Sequence, residues 1–558
     1  MHWLLRFFLT PGEILRDLIF FACLVFVCLA PQFADRAFSA IEQFGSQLAQ
    51  RKLLAVFGIA IAMIVIRLSL LGLLPVPYPE VHDEFSYLLA ADTFVHGRLT
   101  NPPHPMWLFL DTFHVNQQPT YMSKYPPGQG LALALGQVLG HPWIGVLLSG
   151  AAMCGAVVWM LQGWLPPNWA LVGGVLVMFK IALFSYWMNS YLGGFVAAIG
   201  GALAVGALPR ILRSWRMEDA VILGVGAVIL ANSRPFEGAF FCLPVFVVLA
   251  VRFFRRGSVS WQMKLARVVI PLCIVGVLGG AFMAYYNWRG TGRATVFPYA
   301  VNEKTYMSTP AFSWQKMRPQ LHYANPQFEA FYNGAMQRAW SLGGVTSASR
   351  AVRKAAYILA FSFFFFLWPQ LSVTLLAGLR VLRDRRVRLL VVQSVLVFAS
   401  FLLVRAAFNL HYAAPLVATI LALATQGMRH VRHWQAWSRP VGIGITRVVV
   451  LFVVLLAFFT MDRELWDPIK FRIQFANQLS ALPGEHLVIV HYSPDHIPYR
   501  EWVYNGADID NSKIVWAREI PGVSLQPLLN YFHGRQVWVA EPDTSPPRLS
   551  RYEPPISQ

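Results

Sequence analysis

Three ionisable side chains stand side by side at His82, Asp83 and Glu84, and a lysine, Lys124, follows within the same polar stretch in the run SKYPPGQG, next to Tyr125. Between them lie His96, His104, His114, Gln117 and Gln118. A carboxylate within hydrogen-bond reach of a hydroxyl can take its proton as that oxygen attacks. Lysine, as a point charge, and arginine, as a bidentate fork, hold and neutralise a departing phosphate. The same acids also suit a helix start, where Asp accepts orphan backbone N–H groups and Glu favours the first turn. Residue type alone leaves both readings open for Asp83 and Glu84.

The elements that must position these groups are short and lie beside a membrane. The sequence after Glu84 places Phe85, Leu88, Leu89 and Asp92 as an amphipathic helix would. The run GQGLALALGQVLG, 128–140, is too short to cross a bilayer and suits an interfacial helix. Around them the chain of 558 residues is 56% hydrophobic and only 13% charged, which excludes an ordinary soluble enzyme. Its 41 Phe, 19 Trp and 19 Tyr exclude a disordered chain. The formal charge of +19 sits in short loops between apolar blocks, so it speaks for cytoplasmic loops and anionic lipid rather than nucleic acid. The five cysteines all lie in apolar runs without zinc or disulfide spacing.

Hydropathy predicts a polytopic α-helical membrane protein. Residues 1–52 form an amino-terminal cytoplasmic or interfacial segment in which 18–30 is an extra, uncertain span. From 53 to 461 roughly eleven spans follow, near 53–74, 142–163, 166–186, 191–208, 219–233, 238–254, 266–286, 356–377, 389–406, 412–427 and 447–461. Counting from Arg51 and Lys52 inside, the cytoplasmic loops are all basic: Arg210, Arg213 and Arg216; Arg252, Arg255, Arg256, Lys264 and Arg267; Arg380 to Arg388; Arg429 to Arg447. That leaves 75–140, 287–355 and 462–558 outside. In the tail, HLVIVHY (486–492), KIVWARE (513–519) and RQVWVAE (535–541) read as buried strands and LQPLLNYF (525–532) as a helix, a small α/β domain with no glycine fingerprint for a nucleotide. It suits a lid, an acceptor platform or a stabilising cap.

A span, an Asp-Glu pair in the first outer loop, a Lys-x-Pro-Pro element opening an interfacial helix and many further spans together resemble the GT-C glycosyltransferases. Within these the chain is similar to glycosyltransferase family 39, the protein O-mannosyltransferases, and to the bacterial lipid A aminoarabinose transferases. The resemblance covers about residues 53–430 in layout, with its motifs in 78–140. It implies a polyprenyl-phosphate-linked sugar as donor, a lipid, glycan or protein acceptor, and a site at the extracytoplasmic face of a bacterial-type inner membrane. It makes Asp83 the catalytic base, Glu84 a supporting acid or metal ligand, and Lys124 with Tyr125 a donor contact. Members of the family use a divalent ion or none, so a metal on Glu84 and His82 stays open. The second outer loop, SYWMNSYLGG, lacks the acid that such enzymes often carry, which leaves Asn189 and Tyr191 as polar contacts.

Other candidates are weighed on their own surroundings. Arg234 and Glu237 in NSRPFEG are either cavity groups or a local ion pair. Arg405 and His411, at the outer end of a span, suit phosphate, and snorkelling explains Arg405 equally. Arg289, with Arg293, Glu303 and Lys304 among aromatics, suits sugar or phosphate, and so does an interfacial belt. Lys180 lies inside an apolar block with no partner evident from sequence. Two rival functions remain: a transporter or lipid flippase, which would show repeats and midplane polar sites, and a ligase or polymerase of lipid-linked glycans.

Overall fold

A computed structural model describes residues 11–255, 259–436, 438–456 and 467–553. Arg256 and the 457–461 end of the last expected span lie outside the described residues. The chain is mainly helical, and a helix occupies each apolar block that hydropathy picks out. Among the described residues, five helices are long and apolar enough to cross a membrane alone: α3 (Lys52–Ser69), α6 (Pro142–Trp164), α8 (Gly194–Ser214), α10 (Pro235–Phe254) and α11 (Trp261–Thr291). A sixth span arises if Ala348–Phe366 and Gln370–Arg383, bent by 115° to one another, count as one.

Of the eleven or so transmembrane helices expected, five or six pass on length and apolarity alone among the described residues. The remaining apolar blocks form shorter helices, such as Pro167–Ala182, Arg388–Ser400 and Val441–Leu455, and Met217–Ala231 is 15 residues long, about 22 Å against a hydrocarbon core of about 30 Å. Backbone chemistry shortens them. The stretch before Val417 is a 3-10 turn containing Pro415, and Pro167–Val177 runs on into a π turn that ends at Ala182. The first helix, α1 (Pro11–Leu29), carries Glu13, Arg16 and Asp17 in its opening turns. Lys180, in the π turn, donates to the carbonyl of Trp368 at 2.6 Å, the partner that sequence does not reveal.

The three polar segments meet in one lobe at the end of the helical bundle. The first supplies α4 (His82–Val95), α5 (Pro127–Val138) and a two-residue ribbon, β1 (Val115–Asn116) with β2 (Met122–Ser123). The second packs Tyr306, Met307, Phe328, Phe331 and Tyr332 around Phe113 of the first. The tail folds as a four-stranded sheet in the order β4-β3-β5-β6. Strands β3 (His486–Val490), β4 (Ile514–Arg518) and β5 (Gln536–Glu541) are parallel, and the edge strand β6 (Arg548–Arg551) pairs antiparallel to β5. The first three are those the apolar runs predict, joined by a helix at Gln526–Tyr531. The edge strand RLSR lacks an apolar run and is not legible from pattern.

The sheet is tied to the other segments through buried polar contacts. Arg518 is wholly buried, bonds Glu501 at 2.7 Å and donates to the carbonyl of Asp111 at 3.0 Å. Asp111 in turn accepts from the Tyr306 hydroxyl at 2.9 Å.

Candidate active site

Helix α4 begins at His82 because Glu84, its third residue, accepts the backbone N–H groups of Glu80 and Val81 at 2.7 and 2.9 Å. The other Glu84 oxygen accepts the N–H of Tyr191 at 2.9 Å. The cap role open to both acids thus belongs to Glu84, which is 2% exposed and bolts α4 to the 185–193 loop. Burial pushes its carboxyl up to about 7 against those three N–H groups.

Asp83 is released from capping and points elsewhere. His114 Nδ1 lies 2.6 Å from its Oδ1, and the Tyr125 hydroxyl donates to the same oxygen. Among the described residues no hydrogen bond reaches Oδ2, and the side chain keeps 26% exposure. Burial alone would lift Asp83, but His114, Lys124 and the Tyr125 hydroxyl hold its carboxyl well below the usual carboxylate range. Burial, together with Lys124, holds His114 down against the pull of Asp83; its Nδ1 faces the carboxylate, while Nε2 is buried without a hydrogen-bond partner among the described residues. The result is a fixed carboxylate with one oxygen committed and one open.

Two cations flank this group. The ammonium of Lys124 stands 5.1 Å from the centre of the Tyr125 ring, and burial brings it down to about 8 although Asp83 and Glu303 pull the other way. The guanidinium of Arg234, 9% exposed, lies 4.9 Å from the Tyr412 ring and within the electrostatic reach of Tyr87, Glu237 and Tyr125. Neither Lys124 nor Arg234 forms an ion pair within 4.0 Å among the described residues. His411 faces the same group, with Arg234 and Asp83 in its field and its Nδ1 3.1 Å from the Tyr186 hydroxyl. Tyr87 stacks on Tyr125 at 4.5 Å.

The structure disperses the other candidates. Asn189 accepts from Arg67 at 3.5 Å and donates to Ser185, so it serves the loop. Tyr191 is buried with its hydroxyl on the carbonyl of Pro77. Arg405 donates to the carbonyls of Phe312, Ser313 and Gln315 at 3.1–3.2 Å and clamps the second polar segment. Arg289 is exposed and lines a separate cleft beyond the far end of α4. His82, brought down to about 3 by burial first, stacks on Phe113 and contacts the Pro498 carbonyl through Nε2 at 2.8 Å.

The Glu84–His82 pair does not fit a metal. Both Glu84 oxygens are taken by backbone N–H groups, His82 Nε2 meets a carbonyl, and among the described residues no group of three His, Cys, Asp or Glu is placed to hold an ion.

Sequence reasoning assigns no role to His114, whose backbone takes a left-handed φ of 62° to turn its ring toward Asp83. Nor does it find Tyr499, 46% exposed, whose ring lies parallel to His82 at 5.7 Å and at right angles to Phe331. Only the long-range fold brings that residue to α4.

No family model matches the chain, and no curated protein matches it. The chain is similar to solved structures of two kinds. ArnT from Cupriavidus metallidurans in the apo state is 13% identical with a TM-score of 0.47, covering 87% of this chain and 93% of its own. AglB, the oligosaccharyltransferase of Archaeoglobus fulgidus, in complex with an inhibitory peptide and a dolichol-phosphate, is 12% identical with a TM-score of 0.43, covering 89% of this chain and 70% of its own. The same oligosaccharyltransferase tethered with an acceptor peptide is 11% identical with a TM-score of 0.41, and this chain spans 62% of that longer protein. No residue role is transferred from them.

Proposed function

We propose that the protein is a membrane glycosyltransferase of the GT-C kind, moving a sugar from a polyprenyl-phosphate donor to an acceptor hydroxyl at the outer face of a bacterial-type inner membrane. The observation that carries the reading is Asp83, held by His114 and Tyr125 on Oδ1 with Oδ2 open among the described residues, beside two cations, Lys124 and Arg234, that form no ion pair within 4.0 Å among those residues, with Glu237 in the field of Arg234. A phosphate answers both cations, and a hydroxyl answers the free carboxylate oxygen.

In the reaction so read, the acceptor O–H gives its proton to Asp83 Oδ2 while its oxygen forms a bond to the anomeric carbon. The bond from that carbon to the phosphate oxygen breaks on the opposite side, and the lipid phosphate leaves with the electron pair, inverting the centre. Lys124 and Arg234 hold the leaving phosphate as its charge grows. A carboxylate as strongly held as Asp83 is a weak base in the free protein. His114 does most to hold Asp83 down and Lys124 adds to it; a phosphate beside Lys124 offsets that second part, so donor binding raises the basicity of Asp83. Glu84 acts in this scheme through α4, not through the substrate.

The test is transfer by the purified full chain from a panel of labelled polyprenyl-phosphate sugars to membrane extract. Transfer of a single sugar supports the reading. Transfer only from a preassembled lipid-linked oligosaccharide replaces it with a glycan ligase, and no transfer by folded protein overturns it.

A further inference from the structure

Beyond the far end of α4, about 20 Å along the helix from Asp83, a cleft of about 550 Å³ opens between the 97–102 turn and the last turns of α11. Arg98, Thr100, Asn101, Tyr285 and Arg289 line it. Neither arginine forms an ion pair within 4.0 Å among the described residues. Among the described residues, Arg98 Nε is buried without a hydrogen-bond partner, and the side chain of Arg289 reaches the Tyr285 hydroxyl alone, at 3.4 Å. Asn101 is 2% exposed, spends its amide hydrogens on Thr93 and Tyr121, and leaves its acceptor oxygen buried without a partner. Asp508 lies within the field of Arg98, so the second guanidinium makes the cleft net positive.

We propose that this cleft binds the phosphate of an anionic membrane lipid. Two guanidiniums lining one cleft match phosphate oxygens. The position selects a lipid over a soluble anion. Arg289 sits in the last turn of a span, and Tyr285 and Trp288 beside it are 48% and 53% exposed, an aromatic pair at the level where headgroups lie. The site shares no residue with the Asp83 group and does not rest on the transferase reading.

Photoactivatable phosphatidylglycerol, crosslinked to the full chain in neutral detergent and mapped by peptide mass spectrometry, tests this. Crosslinks at 97–102 and 285–293 are expected in the wild type and should fall about tenfold in Arg98→Gln/Arg289→Gln, the loss of roughly one good phosphate contact or more. Crosslinks at the basic 380–388 loop should stay unchanged, which shows that the variant is folded. Unchanged crosslinking at the cleft in the double variant overturns the site. Absence of crosslinks at the cleft in the wild type, while the 380–388 loop is still crosslinked, overturns the lipid assignment.

Discussion

Asp83 and Glu84 are adjacent in sequence and opposite in use. One carboxylate satisfies three backbone N–H groups, while the other leaves an oxygen open beside Lys124. Residue type could nominate the pair and could not divide it, because the division depends on the Tyr191 N–H, more than a hundred residues away. Asn189 and Arg405 show the same limit, since both suit substrate by type and both are spent on holding loops. Lys124 gives a test in pH. Burial lowers its pKa to about 8, so the free protein carries the positive charge below that value and loses it as pH rises through it. The donor kcat/KM should therefore fall on the alkaline side with an apparent pKa near 8, and Lys124→Arg, charged throughout, should lack that limb. An unchanged limb in the arginine variant would remove Lys124 from donor binding.

At the scale of elements, the site depends on how closely α5 crosses α6. A Cβ on Gly145 would stand 2.0 Å from the carbonyl oxygen of Ala132, so the two backbones touch where only glycine fits. Helix α5 starts just after Tyr125 and carries Gln129, which donates to the Tyr191 carbonyl at 2.9 Å. Gly145→Val should therefore push α5 away, cost more than the ~1–3 kcal/mol usual for overpacking, and lower both the thermal midpoint in detergent and transfer. A stable, active valine variant would show that the crossing does not position Lys124 and Tyr125. The Arg405 clamp gives a second test: Arg405→Ala takes the side-chain donor from the Ser313 and Gln315 carbonyls and loosens that of Phe312, and should make the chain more readily cut by trypsin at Lys316. Helix positions were legible because apolar blocks are long. Their lengths were not, because π and 3-10 turns and prolines cut them where hydropathy stays high.

Across the whole molecule, basic loops and polar segments alternate along the chain, and the three long polar segments converge on α4. Tyr121 donates to the Asn505 carbonyl, Asp92 accepts the N–H of Ala507, and Tyr504 stacks on Phe85 at 3.8 Å, so the tail roofs the helix that carries Asp83. Three of the strands in that tail could be read from sequence, but its docking could not, since it rests on pairs more than 380 residues apart. The proposed sidedness predicts that Lys316→Cys reacts with an impermeant maleimide in intact cells, whereas Arg385→Cys reacts only after the membrane is opened. Reaction of both in intact cells, or the reverse pattern, would contradict it. The most direct test of the central claim is transfer by Asp83→Asn beside wild type, with labelled polyprenyl-phosphate sugar as donor and donor binding measured on the same preparations. The account predicts that donor binding persists while transfer falls at least about a hundredfold; full transfer by a folded Asp83→Asn protein would contradict it.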